Sequence, residues 1–347
     1  MMSKRLPNDR SFRAGFTLIE LLVVISIIAL LISILLPALA SARRIGQRVT
    51  CLADMKSMSS GMTEYEVDNE SWIVGSPAGS GAYLFQEPTA WGQSVQRWDF
   101  MGPLAKLWGM GLTQPDRGDR EGVAKRFAQL VQEKVFLCPS NKFLATHFGG
   151  PDAGTLRMVS YNTTRYELFQ SEPPFPGDAH GVSWYANTHD QKLPNKWKPS
   201  VGRIGNPANK VFCADGARFS TGLTAPDYDL RVNAAWGGAF SDVGPYSDWT
   251  RSWDRSWAPG NDHGGTIDAR AFAFRHSTAD PGQGAPADAY KLNLAFYDGH
   301  AETMGDLQAS SPQLWLPAGS TLEAGGALIY PDTQRRFGVT GTVTIGP

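Results

Sequence analysis

Acidic and imidazole side chains cluster near the C-terminal end of the chain. Asp298, His300 and Glu302 occupy alternate positions. The two carboxylates offer hard oxygen ligands that suit calcium, whereas His300 together with His276 would suit a transition metal. A structural interpretation competes, because Asp298-Gly299 between two strand-like runs is typical of a hairpin turn. No EF-hand or HExxH spacing is present, so both interpretations stay open; we expect no cofactor, with calcium as the alternative.

Three cysteines offer a second chemistry. Cys51, Cys138 and Cys213 form no CxxC pair, so neither a zinc ribbon nor a thioredoxin-like motif is present. In an exported domain, Cys51 and Cys138 are the better candidates for a disulfide. That bridge would close a loop of 86 intervening residues (52–137), worth roughly 4 kcal/mol in the chain-entropy model. Cys213 lies in an apolar run and is expected to be a buried thiol; three free thiols are the alternative.

Motifs for nucleophilic catalysis or nucleotide binding are missing from the sequence. It contains no GxSxG, no HExxH and no P-loop. The segment Asp262-His263-Gly264-Gly265 could admit a ligand, but no partner for His263 is identifiable. We therefore expect a chain without enzymatic activity.

The N-terminal segment bears on the cellular compartment. In residues 1–15 four positive side chains face one negative, and in the apolar run 16–36 Glu20 is the only charge. As a helix this run would be about 31 Å long, close to the thickness of a bilayer core. A cleaved signal peptide fits poorly, because the apolar run is too long and Arg43 and Arg44 would follow the cleavage site. A plain membrane anchor leaves Glu20 unexplained, since a carboxylate is costly in lipid.

The stretch Gly15-Phe16-Thr17-Leu18-Ile19-Glu20 resembles the cleavage and methylation site of type IV prepilins and pseudopilins. The resemblance implies that a prepilin peptidase cuts between Gly15 and Phe16 and methylates the new amino terminus. It also implies that Glu20 meets the Phe16 amine of a neighbouring subunit. Opposite charges in an apolar setting are tolerable when paired. We therefore predict that Glu20 and Phe16 set the register of assembly.

Four regions follow from this interpretation. Residues 1–15 are a leader, 16–37 a transmembrane assembly helix, 38–67 its amphipathic continuation, and 68–347 an extracytoplasmic globular domain. Pro37 either kinks the helix, as in pilins that resemble this chain, or marks the exit from the bilayer. The amphipathic part carries an apolar stripe at spacings of three and four residues, formed by Ile45, Val49, Leu52, Met55, Met58, Met62 and Tyr65.

The order of elements predicts a pilin-like α+β fold, in which a long N-terminal helix packs on an antiparallel sheet with long loop insertions. A second amphipathic helix is predicted over 119–133. The pair Asp215-Gly216 is interpreted as a turn. Strand-like runs lie at 135–138, 158–162, 181–186, 211–214, 271–275, 292–297 and 339–345.

Short pieces of the globular region resemble a large bacterial family of prepilin-leadered proteins whose extracytoplasmic domain has an unclear role. That family commonly ends with a His, a short gap and an Asp-Gly. Here 21 residues separate His276 from Asp298, so a version with an inserted loop would be needed. The similar pieces are Cys51-Leu-Ala-Asp-Met-Lys, Phe136-Leu-Cys-Pro-Ser, Ser160-Tyr-Asn, Phe212-Cys-Ala-Asp-Gly, Arg275-His276 and the segment from Asn293 to His300.

These features favour a pseudopilin- or minor-pilin-like structural subunit, processed after Gly15 and assembled into a type II secretion or type IV pilus-like filament. Its expected partners are prepilin peptidase, other pilin or pseudopilin subunits, an assembly platform and membrane lipid. We expect one pass through the inner membrane, with the leader in the cytoplasm and the globular domain outside it. The net charge of -1 gives no reason to expect nucleic acid. The alternative is a membrane-anchored surface protein that does not assemble and binds glycans through Trp-rich loops around 236–257.

Overall fold

A computed structural model defines the fold. It describes residues 17–74, 100–112, 129–130, 132–141, 144–146, 155–157, 160–164, 191–194, 197–216, 274–277, 286–323 and 331–347. Two compact units are distinguished, Met1–Ile45 and Gly46–Pro347.

Helix α1 spans Leu18–Asp68 and confirms the predicted long N-terminal helix. It continues through Pro37, so this proline does not end it. In the first unit the large apolar side chains from Leu18 to Leu39 are 45–80% exposed. This part of the helix is long and apolar enough to cross a membrane.

A four-stranded antiparallel sheet forms the centre of the second unit, in the order β3-β5-β6-β7. A three-stranded sheet has the order β4-β8-β9, and β1 and β2 form a separate pair. The strands are β1 Leu144–Thr146, β2 Thr155–Arg157, β3 Tyr161–Thr163, β4 Gln191–Lys192, β5 Val211–Asp215, β6 Lys291–Phe296, β7 Ala301–Gly305, β8 Thr321–Glu323 and β9 Thr342–Thr344. With helix α1, this sheet confirms the α+β class.

The described residues of the second unit also form short helices. They are α2 Met101–Leu107, α3 Asp306–Ala309, α4 Pro312–Trp315 and α5 Pro331–Phe337, with 3-10 turns at Lys134–Phe136, Val201–Arg203 and Pro207–Asn209. The buried Lys210 connects two of these regions, because its Nζ donates hydrogen bonds to the carbonyls of Gln313 and Leu316 at 2.7 and 2.9 Å.

The C-terminal part of α1 forms one wall of the core. Its buried face follows the spacing of three and four residues through Cys51, Met55, Met58, Met62 and Tyr65. The predicted stripe is therefore correct from Met55 to Tyr65, whereas the predicted Leu52 is only half-buried and the buried Cys51 was not part of the prediction. At its upper end it is wrong, because Ile45 and Val49 are more than half exposed. Burial begins at Cys51, the first position at which the globular core covers the helix.

The helix and the sheet are also joined by polar contacts. The buried Ser59 hydroxyl donates to the carbonyl of Phe296 at the end of β6. One turn from the start of the buried face, the Arg48 carbonyl accepts from Asn293 Nδ2 at 3.4 Å. Strand β6 is thus hydrogen-bonded to α1 at its last residue and near its middle.

The predicted strands at 211–214 and 292–297 are confirmed as β5 and β6. Those at 158–162 and 339–345 overlap β3 and β9 only in part. Run 135–138 is wrong, because a 3-10 turn at Lys134–Phe136 precedes an extended Leu137. Of run 271–275 the described residues Phe274 and Arg275 are not in a strand, and run 181–186 lies outside the described residues. The helix predicted over 119–133 is described only at its C-terminal end, where residues 129, 130 and 132 are helical.

The two Asp-Gly pairs have different structures. Asp298-Gly299 is the predicted hairpin turn between β6 and β7, and Gly299 has the left-handed φ of 93° that such a turn requires. Asp215-Gly216 is not a turn. Asp215 pairs with Tyr161 as the last residue of β5, and the Gly216 amide donates to the Ser160 carbonyl.

Candidate functional site

The first candidate site is the start of helix α1. The Thr17 amide and hydroxyl both donate to Glu20 Oε2 at 2.8 Å, and the Glu20 amide donates to Thr17 Oγ1 at 3.3 Å. This reciprocal arrangement is a capping box, which satisfies amide groups that the first turn of a helix leaves without partners. The Thr-x-x-Glu spacing was the sequence signal for it, and sequence reasoning missed it. Gly15 and Phe16 lie outside the described residues.

Two side chains in the apolar part of α1 satisfy their own polar groups. Ser26 Oγ donates to the Leu22 carbonyl, and Ser33 Oγ donates to the Leu30 carbonyl, each at 2.7 Å. Hydroxyls bonded in this way can be placed in lipid without an unsatisfied donor. The exposed surface of this segment therefore presents apolar groups and internally bonded hydroxyls.

The metal-binding residues predicted near the C-terminal end do not form one group. Asp298 Oδ1 lies 2.5 Å from His300 Nδ1, and Glu302 Oε1 lies 3.7 Å from His300 Nε2. The imidazole itself thus stands between the two carboxylates, and its ring stacks on Phe296 at 4.1 Å between centroids. Although partial burial opposes ionisation, hydrogen bonds from His300 hold the pKa of Asp298 below its usual value.

The fourth predicted ligand, His276, belongs to a different group. Its Nε2 is 3.2 Å from Asp215 Oδ2 and 3.7 Å from Cys138 Sγ. The thiol of Cys51 donates to Asp215 Oδ1 at 3.4 Å. All four side chains are buried, and one ligand atom from each lies within 4.8 Å of the others. We call Cys51, Cys138, Asp215 and His276 the buried tetrad.

Four separate segments position the buried tetrad. Cys51 begins the buried face of α1, and Cys138 follows the 3-10 turn at Lys134–Phe136. Asp215 ends strand β5. His276 lies in a turn whose backbone is tied to β6, because its amide donates to the Lys291 carbonyl at 3.2 Å.

Charges inside the buried tetrad are paired. Arg275 Nη1 lies 3.7 Å from Asp215 Oδ1. The same guanidinium donates to the carbonyls of Ser160 and Gly216 at 2.8 and 2.7 Å. Ser160 directly precedes β3 and Gly216 directly follows β5, so the backbone of both strands holds the guanidinium in place. A buried carboxylate is tolerable when it is paired and hydrogen-bonded in this way.

Burial and neighbouring groups shift the acidities in opposite directions. Burial raises the pKa of the Cys51 thiol well above its usual value. The neighbouring Cys51 and His276 side chains lower the pKa of Cys138 to about 6, against the effect of its burial. Burial alone would lower the pKa of His276, but the facing Asp215 carboxylate and the Cys138 sulfur raise it to about 9.

The structure brings the predicted site residues Cys51, Cys138 and His276 together and adds Asp215 to them. Cys51 and Cys138 are neighbours, as the disulfide prediction required, but both are free thiols here, as is Cys213. The oxidation state of this pair remains a prediction. Asp215 was missed because its Asp-Gly pair suggested a turn. Four of the short pieces that resemble the prepilin-leadered family contain the tetrad residues, and this was the signal that could have found it.

Comparisons with known proteins concern the N-terminal end of the chain. Residues 10–36 match the prokaryotic N-terminal methylation motif. The chain is also 41% identical over 58 residues to the Type IV wide pilus major component PilA4 of Thermus thermophilus, a match that covers 17% of this chain and 44% of that protein. The chain thus matches less than half the length of this relative. No solved structure matches significantly. The N-terminal segment is thus similar to that of type IV prepilins, and most of the chain has no counterpart in these matches.

Proposed function

We propose that this chain is a pseudopilin- or minor-pilin-like structural subunit that is cleaved after Gly15, methylated at Phe16 and assembled into a filament. The observation that carries the proposal is the match of residues 10–36 to the methylation motif. Within the matched residues and just beyond them, α1 exposes its large apolar side chains from Leu18 to Leu39. Such a surface requires lipid or the helices of other subunits around it.

The difference in burial between the two parts of α1 supports the same proposal. Up to Leu39 the large apolar residues of the helix are exposed, and from Cys51 its apolar face is buried in the core of the second unit. A subunit of this kind carries its globular unit on a helix that is free to associate. We place the leader in the cytoplasm and the globular unit outside the inner membrane, with prepilin peptidase and an assembly platform as partners.

Mass spectrometry of the amino terminus tests the processing step. The full chain is expressed in a bacterium with an active prepilin peptidase and extracted from membranes. We expect a chain that begins with N-methylated Phe16. A peptidase-deficient strain is the control and should yield a chain that retains residues 1–15. A chain that keeps its leader in the competent strain would refute the proposal.

The glycan-binding alternative rests on segment 236–257, which lies outside the described residues. No observation on the described residues favours glycan binding. A chain that stays in the membrane and does not assemble would fit this alternative.

A further inference from the structure

We propose that the buried tetrad of Cys51, Cys138, Asp215 and His276 is a structural zinc site. Two sulfurs, one imidazole nitrogen and one carboxylate oxygen are the donor atoms that zinc binds in proteins. Calcium and magnesium, in contrast, prefer sites made of oxygen atoms alone. Because four protein ligands complete a tetrahedral shell, such a site is closed and has no position for a substrate.

The distances in the tetrad fit this coordination. Zinc bonds of about 2.3 Å to sulfur and about 2.0–2.2 Å to nitrogen or oxygen place tetrahedral ligand atoms roughly 3.3–3.8 Å apart. In the structure Cys51 Sγ is 3.4 Å from Asp215 Oδ1. The His276 Nε2 atom is 3.7 Å from Cys138 Sγ and 3.2 Å from Asp215 Oδ2. The two Asp215 distances involve different carboxylate oxygens, so with one oxygen as ligand two edges of the tetrahedron, one to Asp215 and the one between His276 and Cys138, have nearly the required length. One ligand atom from each of the four side chains lies within 4.8 Å of the others.

The charge of the surroundings also fits. Two thiolates and one carboxylate carry three negative charges, which a divalent ion leaves with one in excess. Arg275 lies 3.7 Å from Asp215 Oδ1 and supplies the balancing positive charge. The centre would therefore be neutral as a whole, which a site that is almost completely buried requires.

Neighbouring groups hold the ligands in position. The Asn293 amide donates to Asp215 Oδ2 at 2.7 Å, which orients the carboxylate. Tyr161 lies on the other side of the site, and its hydroxyl donates to Cys51 Sγ at 3.4 Å. Hydrogen bonds of this kind to coordinating groups are typical of the surroundings of metal ligands.

A disulfide between Cys51 and Cys138 would use the same sulfurs but would suit the site less well. A bridged Cys51 has no proton to donate to Asp215 Oδ1, so this buried carboxylate would lose one of its donors. His276 Nε2, 3.7 Å from Cys138 Sγ, would face a disulfide sulfur, which is a weak hydrogen-bond acceptor and a poor metal ligand. A zinc ion engages all four side chains at once.

The ion would have a mechanical role. Between consecutive ligands lie 86, 76 and 60 residues of sequence (52–137, 139–214 and 216–275), and one ion would connect α1 to β5 and to both turns. Metal that binds the folded state alone stabilises it by mass action. We therefore expect the metal to hold the start of the buried part of α1 against the sheet.

The test uses the full chain, extracted in detergent in the presence of an alkylating reagent that traps free thiols in one portion and without it in another. Elemental analysis of the unalkylated portion is expected to give one zinc per chain. After removal of metal under reducing conditions, cobalt should produce the visible absorption of a thiolate-bound tetrahedral ion. Zinc should displace cobalt, while calcium and magnesium should not.

Variants separate ligands from their neighbours. Asp215→Asn and His276→Gln should each weaken zinc binding by more than about 100-fold, and Tyr161→Phe by about tenfold, as expected for a group that supports a ligand. Cys213→Ser is the matched control, because Cys213 is a fully buried thiol of the same strand as Asp215 but not a tetrad residue. It should retain one zinc per chain.

The wild-type chain alone can overturn the proposal, so the test does not depend on variants that fold. A reduced, folded wild-type chain that binds neither zinc nor cobalt would refute it. A Cys51–Cys138 disulfide in the alkylation-trapped native chain would also refute it. Neither result would affect amino-terminal processing, which is measured separately.

Discussion

Cys51 on the long helix and Asp215 at the end of β5 are 164 positions apart in sequence, yet the thiol of one donates to the carboxylate of the other across 3.4 Å. The helix that carries the prepilin-like motif therefore supplies a residue to a buried polar group of the globular core.

Thr17 and Glu20 make it possible to separate helix capping from charge. Glu20→Gln removes the charge but leaves a side chain that can cap, whereas Thr17→Ala removes the capping hydroxyl and keeps the charge. If Glu20 acts by pairing with a terminal amine, Glu20→Gln and Glu20→Val should both lose assembly and Thr17→Ala should retain it. Pelleting of filaments and subunit cross-linking measure this.

The reverse pattern would assign a different role to Glu20. If Glu20→Gln assembles normally while Thr17→Ala and Glu20→Val do not, the glutamate serves the capping box and not the register. Amino-terminal processing should be compared in each variant, so that a defect in cleavage is not taken for a defect in assembly.

Gly61 marks a close approach between α1 and α2. A Cβ at this position would lie 2.7 Å from Trp108 Cζ2 and 3.2 Å from Leu104 Cδ2. Gly61→Ala should therefore lower the free energy of unfolding by about 1–3 kcal/mol, although alanine favours the helix by up to about 1 kcal/mol. Urea unfolding of the detergent-solubilised chain, followed by tryptophan fluorescence, measures the change.

Gly46 is the matched control for Gly61. It lies in the same helix, is exposed, and has nothing within 4 Å of an added Cβ. Gly46→Ala should raise the free energy of unfolding by about 0.5–1 kcal/mol. Equal effects of the two variants would mean that helix propensity, and not packing against Trp108, determines the result.

Ser59 connects α1 to β6 through its hydrogen bond to the Phe296 carbonyl. Ser59→Ala should destabilise the chain by about 1 kcal/mol, at the low end for a buried carbonyl that loses a donor, because the Gly299 amide also donates to this carbonyl at 3.2 Å.

Ser57 is the matched control for Ser59, because its hydroxyl donates to the Ala53 carbonyl on the exposed face of the same helix. Ser57→Ala should change the unfolding free energy by less than about 0.5 kcal/mol, and a larger loss there than at Ser59 would contradict the assignment.

Lys210 is almost completely buried, with 1% of its surface exposed. Lys210→Met should lower the free energy of unfolding by about 2 kcal/mol, since the carbonyls of Gln313 and Leu316 would lose a charged donor. The exposed Lys56→Met is the control and should change stability by less than about 0.5 kcal/mol. A Lys210→Met chain as stable as the wild type in urea would show that apolar packing compensates for the lost hydrogen bonds.

The sequence by itself determined the features that depend on nearby residues. The apolar run and its motif define the N-terminal helix, and spacings of three and four residues identify its buried face from Met55 to Tyr65. The pair Asp298-Gly299 defines a hairpin, because a glycine with positive φ is needed at that point. In each case the interacting residues are within one or two turns or across one tight loop.

Only the tertiary structure decided which distant side chains meet. Asp215 was assigned to a turn from its neighbour Gly216, and His276 was grouped with the nearer Asp298, His300 and Glu302. In the fold, strand pairing continues through Asp215, and the His276 turn is tied to β6, so both side chains reach the sulfurs of Cys51 and Cys138. Periodicity describes which face of one element is buried, but it contains no information about which residue of another element, 60 or more positions away, will lie against that face.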